Sequence, residues 1–153
     1  PTLCQESAMD EDKRADFLAR FMAQDGKALL GFAVQGGVFG EGVDMAGERL
    51  IGAAIIGPGL PQVGPRQEQL RDYFEQTRGS GFDYAYRYPG MNKVLQAAGR
   101  VIRTPQDKGV VLLIDDRFLA PETRRLMPAH WEQLRAVDTA QALAAELQHF
   151  WKK

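Results

Sequence analysis

Three apolar runs of strand length limit what this chain can fold into. They read ALLGFAV at residues 28–34, LIGAAIIG at 50–57 and GVVLLID at 109–115. Unbroken runs of this kind, without polar alternation, are the mark of strands covered on both faces. Between them the apolar spacing changes to that of amphipathic helices. Residues 12–24 put Phe17, Leu18, Phe21 and Met22 on one stripe, and residues 66–77 give an apolar face of Leu70, Tyr73 and Phe74. A helix is expected over 92–103, ended near Pro105, and a last one over 139–151 with Asp138 as its N-cap. Buried strands alternating with helices predict an α/β fold, an open and mostly parallel sheet with helices on both faces. The opening PTLCQES is at most a short strand with no element before it, so the chain reads as cut from a longer protein.

At 153 residues the chain can form one domain with a full core, and its charge is nearly balanced, with 19 Lys and Arg against 20 Asp and Glu. The distribution is uneven. Arg87, Lys93, Arg100, Arg103 and Lys108 fall within residues 87–108 beside one acid, Asp107, whereas residues 6–25 are acidic. One basic quarter suits a local anion site. Cys4 is the only cysteine, which excludes a disulfide framework, a CxxC zinc site and a self-contained iron–sulfur ligand set. His130 and His149 offer no metal-ligand spacing, so no metal site is expected. No apolar run is long enough to span a membrane and no signal peptide is visible, so no membrane partner is expected and the expected location is cytoplasmic.

Parallel α/β sheets bind ligands at loops beyond the carboxyl ends of their strands. On the helix expected over 92–103, Gln96, Arg100 and Arg103 share one stripe, with Val94, Ala98, Val101 and Ile102 on the core side. Arginine offers a planar fork of donors suited to phosphate oxygens. Gly99, beside that stripe, would let a ligand or a backbone come close. The alternative is a solvated helix face, which leaves a mid-helix glycine, costing about 1 kcal/mol against alanine, without a reason.

The loop at 35–47 gathers glycines around Glu41 and Asp44. It is neither a Walker A loop nor a GxGxxG fingerprint, and a plain strand connection accounts for it equally well. Asp115 and Asp116 could form a catalytic carboxylate pair, but Arg117 beside them favours an ion pair or a loop cap. Phe82, Tyr84, Tyr86 and Tyr88 alternate with period two, which suggests a short strand with one aromatic face, core in preference to a base-stacking platform.

Two of these stretches resemble motifs of the second RecA-like motor lobe of superfamily 2 helicases, and the likeness is greatest to the XPD/DinG group of iron–sulfur DNA helicases. GEGVD at 40–44 resembles that group's motif V, although Gly40 stands where relatives often carry Ser or Trp. QAAGRVIR at 96–103 matches its motif VI, Gln-x-x-Gly-Arg-x-x-Arg, at every defining position. DKGVVLLIDDRF at 107–118 resembles the strand that follows, which ends Asp-x-Arg in the group.

The resemblance implies a three-layer, P-loop NTPase-type α/β domain over 1–153, part of an ATP-dependent DNA helicase. It implies that Arg103 is an arginine finger, that Arg100 binds the γ-phosphate and Gln96 orients the pair, and that Glu41, Gly42 and Asp44 approach the nucleotide. ATP with Mg2+ would sit against a first lobe, which would hold the metal and any iron–sulfur cluster. The partners implied are that first lobe and single-stranded DNA, with stacking by aromatics near Tyr86 as a minor contribution. The chain alone would not hydrolyse ATP. A DNA-stimulated ATPase or translocase that does not unwind, and a non-catalytic α/β module binding a nucleotide or protein, are the alternatives.

Overall fold

The computed structural model describes residues 1–23, 28–37, 39, 50–102, 104 and 106–152. Among the described residues, two parallel strand pairs and the helices that cross over within them form the centre of the fold. β1 (Thr2–Cys4) pairs with β2 (Leu30–Phe32), Leu3 opposite Gly31, and β3 (Gly52–Ile56) pairs with β4 (Val110–Ile114), Ile55 opposite Leu113. Parallel neighbours need a crossover connection. Between β1 and β2 it contains α1 (Glu11–Met22); between β3 and β4 it contains α2 (Pro65–Arg78) and α3 (Tyr88–Ala98).

α1 begins where Asp10 caps it, Oδ1 accepting from the Lys13 amide at 2.9 Å, a contribution of about 1 kcal/mol. Its Phe17 is buried with Leu3 and Phe39, and the Phe17 and Phe39 rings stack 4.4 Å apart. On the second sheet Ile55 meets Met91, Val94 and Ala98 of α3 and Phe118 beyond β4. Each of these side chains except Ala98 contributes roughly 1.5–3 kcal/mol by leaving water. α3 comes close to the chain after β3 at Gly90, where a Cβ would lie 2.4 Å from the Pro58 carbonyl oxygen. Only a residue without a side chain allows that approach.

Several expectations need correction. The strands are less buried than their unbroken apolar runs suggest: among the described residues Leu30, Phe32 and Ile114 are about half exposed and Ile56 is 73% exposed. α1 and α3 each cover one face of their sheet, and apolar length by itself does not say whether a second cover exists. Of the face expected on α2, Phe74 is half-buried, while Tyr73 is 60% exposed and Leu70 is exposed too.

The aromatic segment is not a strand. Asp83–Arg87 form a π-helix that runs directly into α3. Phe82 stacks on Tyr86 at 5.3 Å and Tyr84 meets Tyr88 at 5.1 Å, so the apparent alternation is two interleaved i,i+4 helical pairs. Tyr86 is buried and donates its hydroxyl hydrogen to Glu68, which removes it from any base-stacking surface. After a short α4 (Pro121–Arg124), the last helix, α5 (Ala140–Trp151), is capped by Thr139, one residue after the expected Asp138, with Oγ1 accepting from the Ala142 amide at 3.1 Å.

Candidate functional site

α3 carries the first residues of motif VI, Gln96 to Ala98, and it starts earlier and stops sooner than 92–103. The last helical bond runs from the Gly99 amide to Leu95 O at 2.9 Å. The Arg100 and Val101 amides then donate to Ala97 O and Ala98 O, three residues back, so the chain tightens into a 3₁₀-type turn. Gly99 is therefore the C-cap of α3, and what lies close to it is Leu95 O of its own helix, 3.2 Å from where a Cβ would be. Val94, Ala98 and Val101 are buried as expected, whereas Ile102 is exposed. They anchor the turn. Gln96 stands exposed on the last turn of α3, and Arg100 follows the cap, half-buried. Arg103, Glu41, Gly42 and Asp44 lie outside the described residues.

The carboxyl end of β2 is drawn to α3 through residues that composition and motif matching passed over. Gln5 Oε1 accepts from the Val34 amide at 2.8 Å, and the Gly37 amide donates to Val34 O at 3.0 Å, which closes a turn. Gly36 in that turn has φ +73°, and the stem of Lys93 from α3 lies against it, 2.9 Å from where a Cβ would be. Gln35 reaches across to Gly59, beyond the end of β3. Its Nε2 is buried and finds no acceptor among the described residues, which leaves an amide donor at this edge. The paired glycines at 36 and 37 were the available signal for this turn; Lys93 carried none.

At the end of β4 the alternative of an ion pair holds. Arg117 donates from Nε to Asp115 Oδ1 and from Nη2 to Oδ2, both at 2.7 Å, and its backbone amide adds a bond of 3.0 Å. The side-chain bonds from Arg117, then its amide, hold the Asp115 carboxyl well below the usual carboxylate range, and the Arg117 guanidinium is raised in turn. A permanently ionised, fully engaged carboxylate is unsuited to proton transfer near neutral pH. Nearby, a small cavity of about 100 Å³ lies between Pro58, Leu60, Arg87, Met91, Arg117 and Thr123. Arg87 is itself ion-paired with Asp83 and lies 5.3 Å over the Phe82 ring.

Among the described residues no group of three His, Cys, Asp or Glu could hold a metal ion, and no helix is long and apolar enough to cross a membrane. Gln96 and Arg100, at the end of α3, carry hydrogen-bond donors of the kind that phosphate oxygens accept.

Comparison with known proteins shows the family and the fold. The family described as "Helicase C-terminal domain" matches residues 1–134. The chain is 35% identical over 106 residues to the "ATP-dependent DNA helicase chl-1" of Caenorhabditis elegans, covering 67% of this chain and 12% of that protein. It is 34% identical over 122 residues to the "Regulator of telomere elongation helicase 1" of Bos taurus, covering 74% of this chain and 10% of that protein. The chain thus spans only about a tenth of these relatives' length. A solved XPD helicase superposes with a TM-score of 0.63 over 82% of this chain and 22% of its own, and at 21% identity that likeness establishes the fold, a RecA-like α/β domain. The chain belongs to the helicase C-terminal domain family, as a C-terminal lobe of the XPD/DinG type.

Proposed function

We propose that this domain, over residues 1–153, is the second motor lobe of a larger ATP-dependent DNA helicase, and that it completes a nucleotide site shared with a first lobe. The placement of Gln96 and Arg100 at the end of α3 carries the reading: Val94, Ala98 and Val101 lock this turn into the core while its donors remain at the edge. Arg103 acts as the finger on charge developing at the transferred phosphoryl group, Arg100 holds the γ-phosphate, and Gln96 orients the two. Glu41, Gly42 and Asp44 approach the nucleotide from the motif V side. Mg2+ and the phosphate cradle belong to the first lobe, as does any iron–sulfur cluster. Single-stranded DNA follows the carboxyl edge near the turn at Val34–Gly37, and opening and closing of the two lobes moves it.

The test is a comparison of two samples. The pure 153-residue chain is expected to show no ATP turnover, while the full-length protein turns over ATP and unwinds a duplex. Turnover by the chain alone would sink the reading. ATP turnover by the full-length protein without unwinding would leave a translocase in its place.

A further inference from the structure

α5 stands apart from the two clusters of buried side chains. None of its residues is fully buried, and it follows residue 134, where the family match ends. Its ties to the rest of the chain include Arg135 Nη1, which donates to both carboxylate oxygens of Glu146 at 3.0 and 2.8 Å. At its other end Lys108 Nζ lies 5.2 Å from the centre of the Phe150 ring and 5.5 Å from that of Trp151. The two rings meet edge to face at 5.0 Å. An ammonium group over aromatic faces is attracted by their quadrupoles.

Lys108 ends the segment that leads from motif VI into β4. Within it the Thr104 amide donates to Asp107 Oδ2 at 2.8 Å and the Asp107 amide to Thr104 O at 3.1 Å, which closes a turn immediately before Lys108. After Lys108, the Val110 amide joins the second sheet through Ile51 O at 3.0 Å. Helical hydrogen bonding has already ended at Gly99. Among the described residues between Val101 and β4, the contacts that hold the chain include the Thr104–Asp107 turn and the aromatic end of α5 against Lys108.

We propose that α5 positions the motif VI segment by holding Lys108 against the adjoining rings of Phe150 and Trp151. The inference rests on the motif VI reading above, because an arginine that stabilises a transition state works only when it is held in place. Lys108, Phe150 and Trp151 touch no reacting atom; they are positioning residues.

Two measurements test this contact. In the 153-residue chain, ring currents should move the Lys108 ε-methylene protons upfield. Trp151→Ala should abolish that shift and speed amide exchange at Thr104 and Asp107 about threefold. In the full-length protein, Lys108→Met and Trp151→Ala should each lower kcat about three- to tenfold with KM for ATP nearly constant, and should not add when combined. Lys108→Arg should restore kcat, since a guanidinium also sits over rings. An absent upfield shift overturns the proposal. So does normal kcat in both single variants while Arg103→Ala abolishes turnover, or a loss that adds in the double variant and is not rescued by arginine. Normal turnover in Arg103→Ala removes the motif VI reading and this proposal with it, and that control tells the two failures apart.

Discussion

Arg117 folds back onto Asp115, two residues earlier, with both side-chain bonds at 2.7 Å, so the carboxyl end of β4 is closed by its own side chains. The carboxylate is mostly buried and the guanidinium about half exposed. Bidentate, charge-assisted geometry makes this one of the stronger polar contacts on the surface.

Asp115→Asn should cost about 1 kcal/mol of stability at neutral pH, a charge-assisted bond discounted for the exposed guanidinium. The folded-state pKa of Asp115 is lowered, so the stabilisation is fully present above the ordinary aspartate pKa of about 3.9 and is lost as pH falls through the lower folded value. Urea midpoints of wild type and variant should differ at pH 7 and draw together below about pH 3. A constant gap across that range would show that the ion pair is not its source.

Gly90→Ala should destabilise the chain by about 1–3 kcal/mol, because the new methyl group meets the Pro58 carbonyl and Leu60. Thermal unfolding reads the effect. A melting temperature equal to the wild type's would mean that α3 does not press against the β3 exit as described.

Arg103→Ala in the full-length protein should lower turnover on the order of 10³-fold or more while weakening ATP binding far less. Arg103→Lys should rescue poorly, since a point charge cannot replace the planar fork. Near-normal turnover, or failure only through unfolding, would rule out the finger.

Single-stranded DNA should bind this chain weakly, and the affinity should fall between 50 and 200 mM salt as roughly one to three phosphate contacts are screened. Lys93→Gln should flatten that dependence, because Lys93 stands beside the turn at the end of β2. Fluorescence anisotropy at the two ionic strengths decides it. Salt-independent binding would count against a phosphate-tracking edge.

Sequence and structure agree best where local pattern and packing ask for the same thing. The strands at 52–56 and 110–114 lie inside their apolar runs and pair in parallel. Arg117 beside Asp115 was legible as an ion pair because the two are neighbours in the chain. Motif VI was legible as a string of residues, yet not as a shape. Gly99 and the backward bonds of Arg100 and Val101 end the helix early, a choice made by the backbone and not by apolar period. The π-helix at Asp83–Arg87 hid behind its aromatic pairs, since spacings of two and four cannot be separated when every second residue is aromatic. Gln35 against Gly59 and Lys93 against Gly36 join elements far apart in sequence, and no local signal carries such a contact.

The exposed side of the β3–β4 pair has a practical cost at the bench. Ile56 and Ile114 are register partners and both face water, 73% and 49% exposed. Exposed isoleucine pairs of this kind favour association of one copy with another. A concentrated stock of this chain should behave as a sticky colloid, with light scattering that grows with concentration and with ammonium sulfate. Replacing both isoleucines by lysine would remove that tendency and leave the α3 side of the sheet, where Ile55 is buried, as it is.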